Sequence, residues 1–508
     1  METGYVWALI QLLAIAVQLL TIRTRLWKYR FNIFIQCLLI QLISAIALIK
    51  VSGLLAIISG LILLYLLLDT YRVIKAYQSE SYLKTSVFHN QLRLGTFLAV
   101  VWMVAAWHPV IGNFETLLIL ALCSYIIAGV LLLTTIRSLL RARVAETRVY
   151  ADKDLPTLTL AFPARNETVR IAETLKGALA SDYPKLEILV LDDCSQDDTP
   201  HIVQTYAHDG IRFISGSTPK PHWLGKNWAY ERLIQEASGD YILFAGIDIH
   251  MSPESIRHLV SYALDKHADM VSVMPRRDRF HFQEALLAPP RYFWQLAMPR
   301  YWRRNPPVLS SVWLIKKDVL DEIGGMEAVS NKIIPEQFFA RELAKKHAYR
   351  FLVSNYFLAL RTHKSFVEQL ETEHRILYPE MRRRPSRVFV ASAILMIGML
   401  MPFIATVAGF WLHLGPAHRV FMAAAAMLVL THVLTTTVLY PSSWPFSVFN
   451  FPIVMLLELV TLNYSMLQYE FNEVTWKGRN ICIPAMNHLE VIPSLPQLPR
   501  RKSNRAHH

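Results

Sequence analysis

The sequence predicts an α/β domain built on a mainly parallel sheet and inserted between two blocks of transmembrane helices. Two observations predict this architecture. Apolar residues make up 53% of the 508 residues and are concentrated toward the two ends, in blocks about as long as a bilayer is thick. Between these blocks, from about residue 150 to 385, short apolar strands alternate with helical patterns, which is typical of parallel sheets.

The N-terminal block, residues 1–149, is predicted to contain five transmembrane helices. Its first apolar segment lacks a positively charged start and a small-residue cleavage site, so we expect it to be a retained span. Lys and Arg cluster after the first, third and fifth segments, and the positive-inside rule therefore predicts a multi-pass cell-membrane protein with a cytosolic central domain. The apolar segments are 5–20, 31–48, 51–68, 94–110 and 116–136.

The C-terminal block, residues 386–467, is predicted to hold two to three membrane segments, followed by a basic tail at 468–508. The third segment, 446–467, contains Pro452 and carries Glu458 near its middle. Three full spans would place the basic tail outside the cell, which the charge rule disfavours. The sequence therefore favours a re-entrant or surface-lying third segment, with a full span as the alternative.

Charge and cysteine content narrow the function classes. The formal charge is +13, and most of the basic residues flank apolar blocks, which indicates membrane orientation and anionic lipid rather than nucleic acid. No nucleic-acid-binding module is recognisable. The four cysteines show no metal or disulfide spacing and fit a reducing compartment. The central domain is therefore where chemistry is expected.

That domain is organised around the strand at residues 188–192, whose apolar run stops at Asp192 and Asp193. Ligands of open α/β sheets bind at the carboxyl ends of strands. Two further buried strands, Leu158–Phe162 and Tyr241–Phe244, also end in polar residues. The sequence therefore predicts a ligand site at this edge of the sheet, although Asp192 and Asp193 would also suit the capping of a turn.

The segment 284–304 mixes aromatic residues with arginines in short helical patterns broken by proline. Such a composition suits a membrane-surface segment that brings the domain to a lipid. The alternative is a pair of helices that covers the core.

Five motifs, spread over about residues 155–365, resemble those of a family 2 glycosyltransferase with a GT-A fold, which is Rossmann-like and binds a nucleotide-sugar. The membrane-bound subgroup that includes hopanoid-associated and carotenoid glycosyltransferases and is related to ceramide glucosyltransferase is the most similar. The Trp-Lys-Gly-Arg run at Trp476–Arg479 resembles the same subgroup. The motifs are Pro163–Glu167, Asp192–Asp197, His222–Ala229, the strand end at Asp248, and Gly324–Glu327.

The resemblance implies inverting transfer of a hexose from a UDP-sugar donor to the hydroxyl of a membrane lipid. It implies that Asp193 contacts the nucleotide, with Asp192 beside it and with Glu167 and the Ala164 backbone lining the same pocket. Lys226 follows Gly225 at the start of a helix, where backbone N–H groups and one ammonium can contact phosphate.

The resemblance also implies Mg²⁺ or Mn²⁺, which assists departure of the diphosphate. The family has Asp-x-Asp where this chain has Gly246-Ile247-Asp248. Asp248 is therefore the expected metal ligand, and Gly246 replaces the first carboxylate. His250 is either a further ligand or a structural histidine.

The general base is the second departure from the family pattern. Family members carry Glu-Asp on a helix after the Gly-Gly motif, and this chain has Glu336-Gln337. Glutamine cannot take a proton. Glu336 is a provisional base, but neighbouring helical side chains point about 100° apart. The alternative function is a catalytically weakened or inactive membrane scaffold that binds nucleotide-sugar.

Two basic positions follow in the region where the family places residues near the donor diphosphate or the acceptor. These are Arg361 and Arg375. The Gln-x-x-Arg-Trp motif of processive enzymes is absent around Arg375, which disfavours synthesis of long polysaccharides. Either arginine would also suit a solvated or lipid-facing position.

Overall fold

The computed structural model describes residues 114–142, 149–277, 292–299, 305–411, 414–440, 444–470 and 474–482. All of them belong to one unit of the chain, Val110–Ala485. The first four predicted spans, most of the segment 284–304 and the end of the basic tail lie outside the described residues.

The central domain contains a seven-stranded mixed sheet and a small three-stranded sheet. In chain order the strands are β1 Leu158–Ala164, β2 Leu186–Asp192, β3 Ile211–Ser215, β4 Tyr241–Ala245, β5 Ile249–His250, β6 Met270–Met274, β7 Arg276–Arg277, β8 Val312–Lys316, β9 Tyr349–Val353 and β10 Arg361–Thr362. The large sheet has the order β3-β2-β1-β4-β8-β6-β9 and the small sheet β5-β10-β7. In the large sheet only β8 is antiparallel to its neighbours, so the predicted mainly parallel sheet is confirmed.

Helices connect the strands and continue into the C-terminal block. In chain order they are α1 Phe114–Ala142, α2 Ile171–Leu179, α3 Thr199–Thr205, α4 Gly225–Glu236, α5 Ser255–Asp265, α6 Lys317–Glu322, α7 Glu336–Lys345, α8 Phe366–Glu380, α9 Pro385–Ala393, α10 Met401–Ala408, α11 Pro416–Leu439 and α12 Trp444–Glu470. After α12 come two short paired strands, β11 Thr475–Trp476 and β12 Arg479–Asn480.

Both faces of the large sheet are buried under helices. Along β1, Leu160 and Phe162 pack on one face with α2 and α5, whereas Ala161 packs on the other with α4, α6 and α7. This alternation follows from the two-residue period of a strand. Burial on both faces explains why the strands are continuous apolar runs, and it leaves the strand ends as the accessible edge.

Aromatic rings fix the layer that carries α4 and α7. Phe244 of β4 stacks on Trp313 of β8 with ring centroids 4.3 Å apart. Trp313 in turn stacks on Phe339 of α7 at 6.2 Å and meets Tyr230 of α4 edge-on at 5.7 Å. Such contacts are worth about 0.5–1.5 kcal/mol each beyond the burial of area. They hold the starts of α4 and α7 at the same end of the domain.

Four helices among the described residues are long and apolar enough to cross a membrane, at Leu117–Ala142, Pro385–Ala408, Pro416–Leu439 and Pro445–Glu470. One lies before the central domain and three lie after it. The third C-terminal segment is a continuous helix, α12, that runs through Pro452. The preference for a re-entrant third segment stays a prediction.

The helix at 385–408 changes its winding in the middle. Residues Ile394–Leu400 form a π-helical segment between α9 and α10. Pro402 follows it, and because proline has no N–H, the backbone loses one helical hydrogen bond at this point. Segments of this kind widen a helix locally and recur at functional sites.

The described part of the segment 284–304 packs inward on the membrane helices. Residues 292–297 are helical, and Phe293 is fully buried, with its ring 6.0 Å from that of Phe451 on α12. The neighbouring Trp294 donates a 3.0 Å hydrogen bond to the Glu458 carboxylate on the same helix. This segment therefore joins the central domain to α12.

Candidate active site

The loops that follow β1 and β2 are bonded to each other. The Asp193 N–H donates to the Ala164 carbonyl at 2.7 Å, and the Glu167 N–H donates to the Thr199 hydroxyl at 2.8 Å. The Ala164 carbonyl thus holds Asp193 in place, and the lining of a nucleotide pocket by the Ala164 backbone stays a prediction. These bonds make the two loops one rim at the carboxyl edge of the sheet, where parallel sheets bind ligands.

Asp193 is held by an arginine from the far end of the chain. Both of its carboxylate oxygens accept from Nη1 of Arg479 at 2.7 Å, and its side chain is only 5% exposed. Burial raises the pKa of Asp193, and the hydrogen bond and charge of Arg479 offset this only in part. Arg479 belongs to β12, so the residues 475–480, which we call the 475–480 hairpin, reach the predicted nucleotide position.

Glu167 meets the same hairpin. Its carboxylate forms an ion pair with Lys477, and Lys477 also donates to the Arg165 carbonyl at 2.5 Å. Arg165 returns a bond from Nε to the Lys477 carbonyl at 3.0 Å. Burial raises the pKa of Glu167, although Lys477 acts in the opposite direction. Two carboxylates predicted to contact the nucleotide thus each bind one cation of the hairpin.

The start of α4 closes another side of this pocket. A Cβ at Gly225 would lie 2.5 Å from Nη1 of Arg479 and 3.0 Å from Oδ2 of Asp193. The absence of a side chain at Gly225 therefore lets the first turn of α4 approach the carboxylate and the guanidinium. The N-terminus of this helix is where the sequence predicted contact with phosphate.

Asp192 binds the turn that follows β2, and its predicted place in the nucleotide site stays a prediction. Its Oδ2 accepts from the Ser195 N–H at 3.1 Å. This is the turn-capping role that the sequence also allowed as an alternative to ligand binding. Its Oδ1 is buried and has no hydrogen-bond partner among the residues that the structure describes. The two adjacent aspartates therefore have different surroundings, and Asp193 is the one beside the hairpin.

Lys226 and Glu336 form a buried ion pair. Nζ of Lys226 lies 3.0 Å from Oε1 of Glu336, and Oε2 of Glu336 accepts from the Ser310 hydroxyl at 3.1 Å. Glu336 has no exposed surface. Burial lowers the pKa of Lys226, but the Glu336 carboxylate and Tyr230 together outweigh this effect and the pKa is raised. The provisional base is therefore already bound on both oxygens.

Gln337 points to a different place. Its Oε1 accepts from Nδ2 of Asn305 at 3.0 Å, and its side chain lines a cavity that is also lined by membrane helices. The two neighbouring residues at the start of α7 thus face two separate environments, as the helical period requires. Glu336 faces Lys226, and Gln337 faces a cavity lined by helices long enough to span a membrane.

Asp248 follows β4 and is held by the small sheet. Its Oδ2 accepts from the Thr362 hydroxyl at 2.6 Å, and Nζ of Lys364 lies 3.6 Å from the same oxygen. Burial raises the pKa of Asp248, but Lys364 and Thr362 outweigh it and the pKa is lowered. A Cβ at Gly246 would lie 2.5 Å from Oδ1, so this oxygen lies over the position where the family has its first carboxylate.

Asp248 is the predicted metal ligand, and its role at a metal stays a prediction. Magnesium commonly binds through one or two carboxylates together with phosphate oxygens of the substrate. No group of three His, Cys, Asp or Glu side chains suited to a metal occurs in the described part of the chain. His250 lies on β5 opposite Arg361 of β10. Its role at a metal stays a prediction.

Lys477 and Arg479 are the site residues that sequence reasoning did not assign. Their signal was the Trp-Lys-Gly-Arg run, which resembled the subgroup but named no partner. The hairpin's Trp476 also contacts the site region, because the Arg375 guanidinium lies over its ring, 4.9 Å from the centroid. Arg375 was predicted to lie near the donor or the acceptor, and it lies beside the hairpin.

Comparison with known proteins identifies the domain. Residues 159–324 match the family model "Glycosyl transferase family 2". This is a family 2 glycosyltransferase domain. The matched residues begin in β1 and end after α6, so they include the rim, Lys226 and Asp248. The GT-A fold is thereby confirmed, with helices able to span a membrane on both sides of the domain.

Two curated relatives show where the similarity lies. The domain is 24% identical over 185 residues to a 4,4'-diaponeurosporenoate glycosyltransferase of Staphylococcus aureus, which is 35% of this chain and 48% of that protein. It is 28% identical over 119 residues to the S. aureus poly(ribitol-phosphate) beta-N-acetylglucosaminyltransferase TarS, which is 22% of this chain and 19% of that protein. The chain thus spans at most about half the length of these relatives.

Two solved structures of glycosyltransferases also resemble part of this chain. A mannosyltransferase from Pyrobaculum calidifontis, PcManGT, in complex with GDP-Man and Mn²⁺, has a TM-score of 0.44 at 17% identity and covers 70% of this chain and 98% of its own. A crystal structure of S. aureus TarS in complex with UDP has a TM-score of 0.30 at 16% identity, with coverages of 62% and 91%.

Proposed function

We propose that this chain transfers a hexose from a UDP-sugar to the hydroxyl of a membrane lipid, with inversion, on the cytosolic face of the cell membrane. One observation carries the proposal. The charged rim at the ends of β1 and β2 lies in the same unit as a cavity lined by Gln337 and by residues of helices long enough to span a membrane. The charged rim suits a water-soluble donor, and the largely apolar cavity suits a lipid acceptor.

The donor pocket suits a nucleoside diphosphate. The Asp193 and Glu167 carboxylates can accept hydrogen bonds from base or ribose groups. Lys477 and Arg479 carry the positive charge that a diphosphate needs. Both cations bind the carboxylates, and we expect them to turn to the diphosphate when a donor binds. The 475–480 hairpin is thus a clamp on the nucleotide.

Asp248 would hold Mg²⁺ or Mn²⁺ together with the diphosphate oxygens, and the metal would neutralise charge on the leaving group. The low pKa of Asp248 keeps this carboxylate ionised at neutral pH. Thr362 fixes its orientation by a 2.6 Å hydrogen bond. Glu336, by contrast, is bound by Lys226 and Ser310, and it suits the positioning of Lys226 better than the acceptance of a proton.

A second candidate is a membrane scaffold that binds a nucleotide-sugar without transferring the sugar. Gly246 and Gln337 favour it, because each stands where the family carries an acid. The two candidates differ in one measurement. A scaffold binds UDP-sugar and leaves it intact, whereas an enzyme consumes it and labels a lipid.

The test is a transfer assay on membranes that contain the full chain. Membranes are incubated with radiolabelled UDP-sugars, and the lipids are extracted and separated. We expect label in a lipid fraction that is absent when membranes lack the protein. The absence of labelled lipid with every UDP-sugar, together with measurable UDP binding, would favour the scaffold over the enzyme.

Replacing Arg479 by alanine is expected to change the binding of uridine and UDP in opposite directions. The variant frees Asp193 for the base, so neutral uridine should bind more tightly. It also removes a cation from the diphosphate, so UDP should bind about tenfold more weakly, because a charge-assisted hydrogen bond contributes about 1.5–3 kcal/mol. Isothermal titration of the solubilised chain with both ligands measures this.

The matched control is Arg212→Ala, since Arg212 is an exposed arginine on β3, outside the hairpin, that pairs with Glu236. It should change neither affinity by a comparable amount. Weaker binding of uridine and UDP alike in Arg479→Ala would mean that the hairpin does not compete for Asp193.

A further inference from the structure

The geometry points to the cavity beneath Gln337 as the binding site of the lipid acceptor, with Glu458 of α12 as the group that takes the proton from the acceptor hydroxyl. This inference rests on the proposed transfer to a lipid and deepens it, because it assigns the acceptor site and a base. The sequence motifs did not indicate this site. At the position where the family carries its base, this chain has Gln337, which cannot take a proton.

The cavity has an apolar side and a polar end. Its volume is about 240 Å³. Ile127 and Leu131 of α1 line it together with Ile394 and Leu395 of the π-helical segment. Gln337 and Glu458 also line it. A hydrocarbon chain with a terminal hydroxyl matches this division, because the apolar side chains belong to helices able to span a membrane and the polar ones lie beside the central domain.

The π-helical segment explains how a cavity survives among packed helices. A tightly wound helix presents a continuous ridge of side chains to its neighbours. At Ile394–Leu400 the winding is wider, and Ile394 remains partly exposed. The helix thus departs from regular packing at the level where it lines the cavity, which gives a lipid chain an approach from the hydrocarbon side.

Glu458 is a carboxylate that lines this cavity. Glu336 faces away, toward Lys226. Glu458 is 4% exposed, and its Oε1 is fixed by the 3.0 Å hydrogen bond from Trp294. A carboxyl buried in a membrane helix is costly, and the bond from the Trp294 indole offsets part of this cost and fixes the orientation of the carboxyl group. Glu380 also lines the cavity and is the competing candidate.

The step balances without a further reactant. The acceptor oxygen forms a bond to the anomeric carbon of the sugar, and the bond between that carbon and the diphosphate oxygen breaks. The diphosphate leaves with the electron pair of that bond. The hydroxyl proton moves to the carboxylate of Glu458, which later releases it to water. No electrons are gained or lost by the protein.

The test compares Glu458→Gln with wild type in the transfer assay, with the full chain in phosphatidylcholine vesicles and the donor and lipid found active above. The amide keeps the size and hydrogen bonding of the side chain but cannot take a proton. We expect kcat to fall about 100-fold, the scale of general-base catalysis, with little change in acceptor KM or UDP affinity. The matched control is Glu470→Gln, a buried carboxyl of the same helix that bonds Tyr378.

A second-site variant shows whether Glu458→Gln loses activity because the base is missing or because the protein misfolds. Gln337→Asp places a carboxylate in the same cavity, so it should restore at least about tenfold of the activity lost in Glu458→Gln. A purely structural role of Glu458 would give no such rescue. Activity of Glu458→Gln close to wild type, or an equal loss in Glu380→Gln, overturns the assignment of the base.

Occupancy of the cavity is tested without turnover. A diazirine derivative of hexadecanol, activated by light in the same vesicles, should label peptides that contain Leu131 or Leu395. Ala391→Trp, which adds bulk to the cavity lining, should suppress this labelling, whereas Ala393→Trp on the same helix should not. Labelling that is insensitive to Ala391→Trp overturns the acceptor site. Failure of wild-type transfer would instead reject the proposed function, and the labelling would still report on the cavity.

Discussion

Replacing Lys226 by methionine is expected to lower the free energy of unfolding by about 3–5 kcal/mol, the usual result of leaving a buried charge without its partner. Glu336 is fully buried, and Lys226 is 20% exposed at the side chain. Methionine keeps the length and the apolar stem of lysine, so the change isolates the charge. The measurement is thermal unfolding of the solubilised full chain, followed by tryptophan fluorescence.

A double variant identifies the cause. Glu336→Met added to Lys226→Met removes the orphaned carboxylate and should recover most of the loss, because apolar side chains replace buried ion pairs at little cost. Lys345→Met is the matched control, since Lys345 belongs to the exposed pair with Glu342 on the same helix. An equal destabilisation by Lys226→Met and Lys345→Met would contradict the buried pair.

The pH range of this stabilisation follows from the direction of the pKa shift. Glu336 raises the pKa of Lys226 above its ordinary value of 10.5. The contribution is therefore fully present below pH 10.5 and is lost as the pH rises through the higher value of the folded state. The difference between wild type and Lys226→Met should accordingly stay constant from neutral pH to about pH 10.

Asp248→Asn is expected to lower sugar transfer about 100- to 1,000-fold, the range found when a group that stabilises transition-state charge is removed. The amide preserves the shape of the side chain and weakens its hold on a cation. Uridine binding should be unchanged, because the base is assigned to the Asp193 side of the pocket. Turnover at several Mn²⁺ concentrations measures the effect, and added metal should recover part of it.

Thr362→Val is expected to reduce sugar transfer less than Asp248→Asn does. It leaves the carboxylate in place and removes the hydroxyl that orients Oδ2. Loss of an outer partner of a metal ligand typically costs 10- to 100-fold, so the defect should be smaller than that of Asp248→Asn. Full activity in Asp248→Asn would exclude the assigned metal ligand, whatever the result for Thr362→Val.

The parts of the site that the sequence predicted are those set by local pattern. The strand ends at Asp193 and Asp248 could be located because an apolar run and a following turn are features of a few adjacent residues. The different directions of Glu336 and Gln337 followed from helical geometry alone. The fold class followed for the same reason, since alternating strands and helices restrict the topology.

The partners of these residues could not be predicted, because they depend on the path of the whole chain. Arg479 lies 286 residues after Asp193, and Glu336 lies 110 residues after Lys226. The antiparallel strand β8 and the contact between Trp294 and Glu458 also need the tertiary arrangement. Local periodicity carries no information on which distant charge meets which carboxylate.

The connection between α12 and the 475–480 hairpin is short. Because of it, Lys477 and Arg479 compete from within the same chain with the nucleoside for the Glu167 and Asp193 carboxylates. The helix ends at Glu470 and the described chain resumes at Val474, so four residues can extend at most about 14 Å. A group joined by such a short linker acts at an effective concentration in the millimolar range. The apparent dissociation constant of uridine is thus the intrinsic constant divided by the fraction of molecules in which Asp193 is free of Arg479, and lengthening the connection with glycines should tighten the apparent binding of uridine.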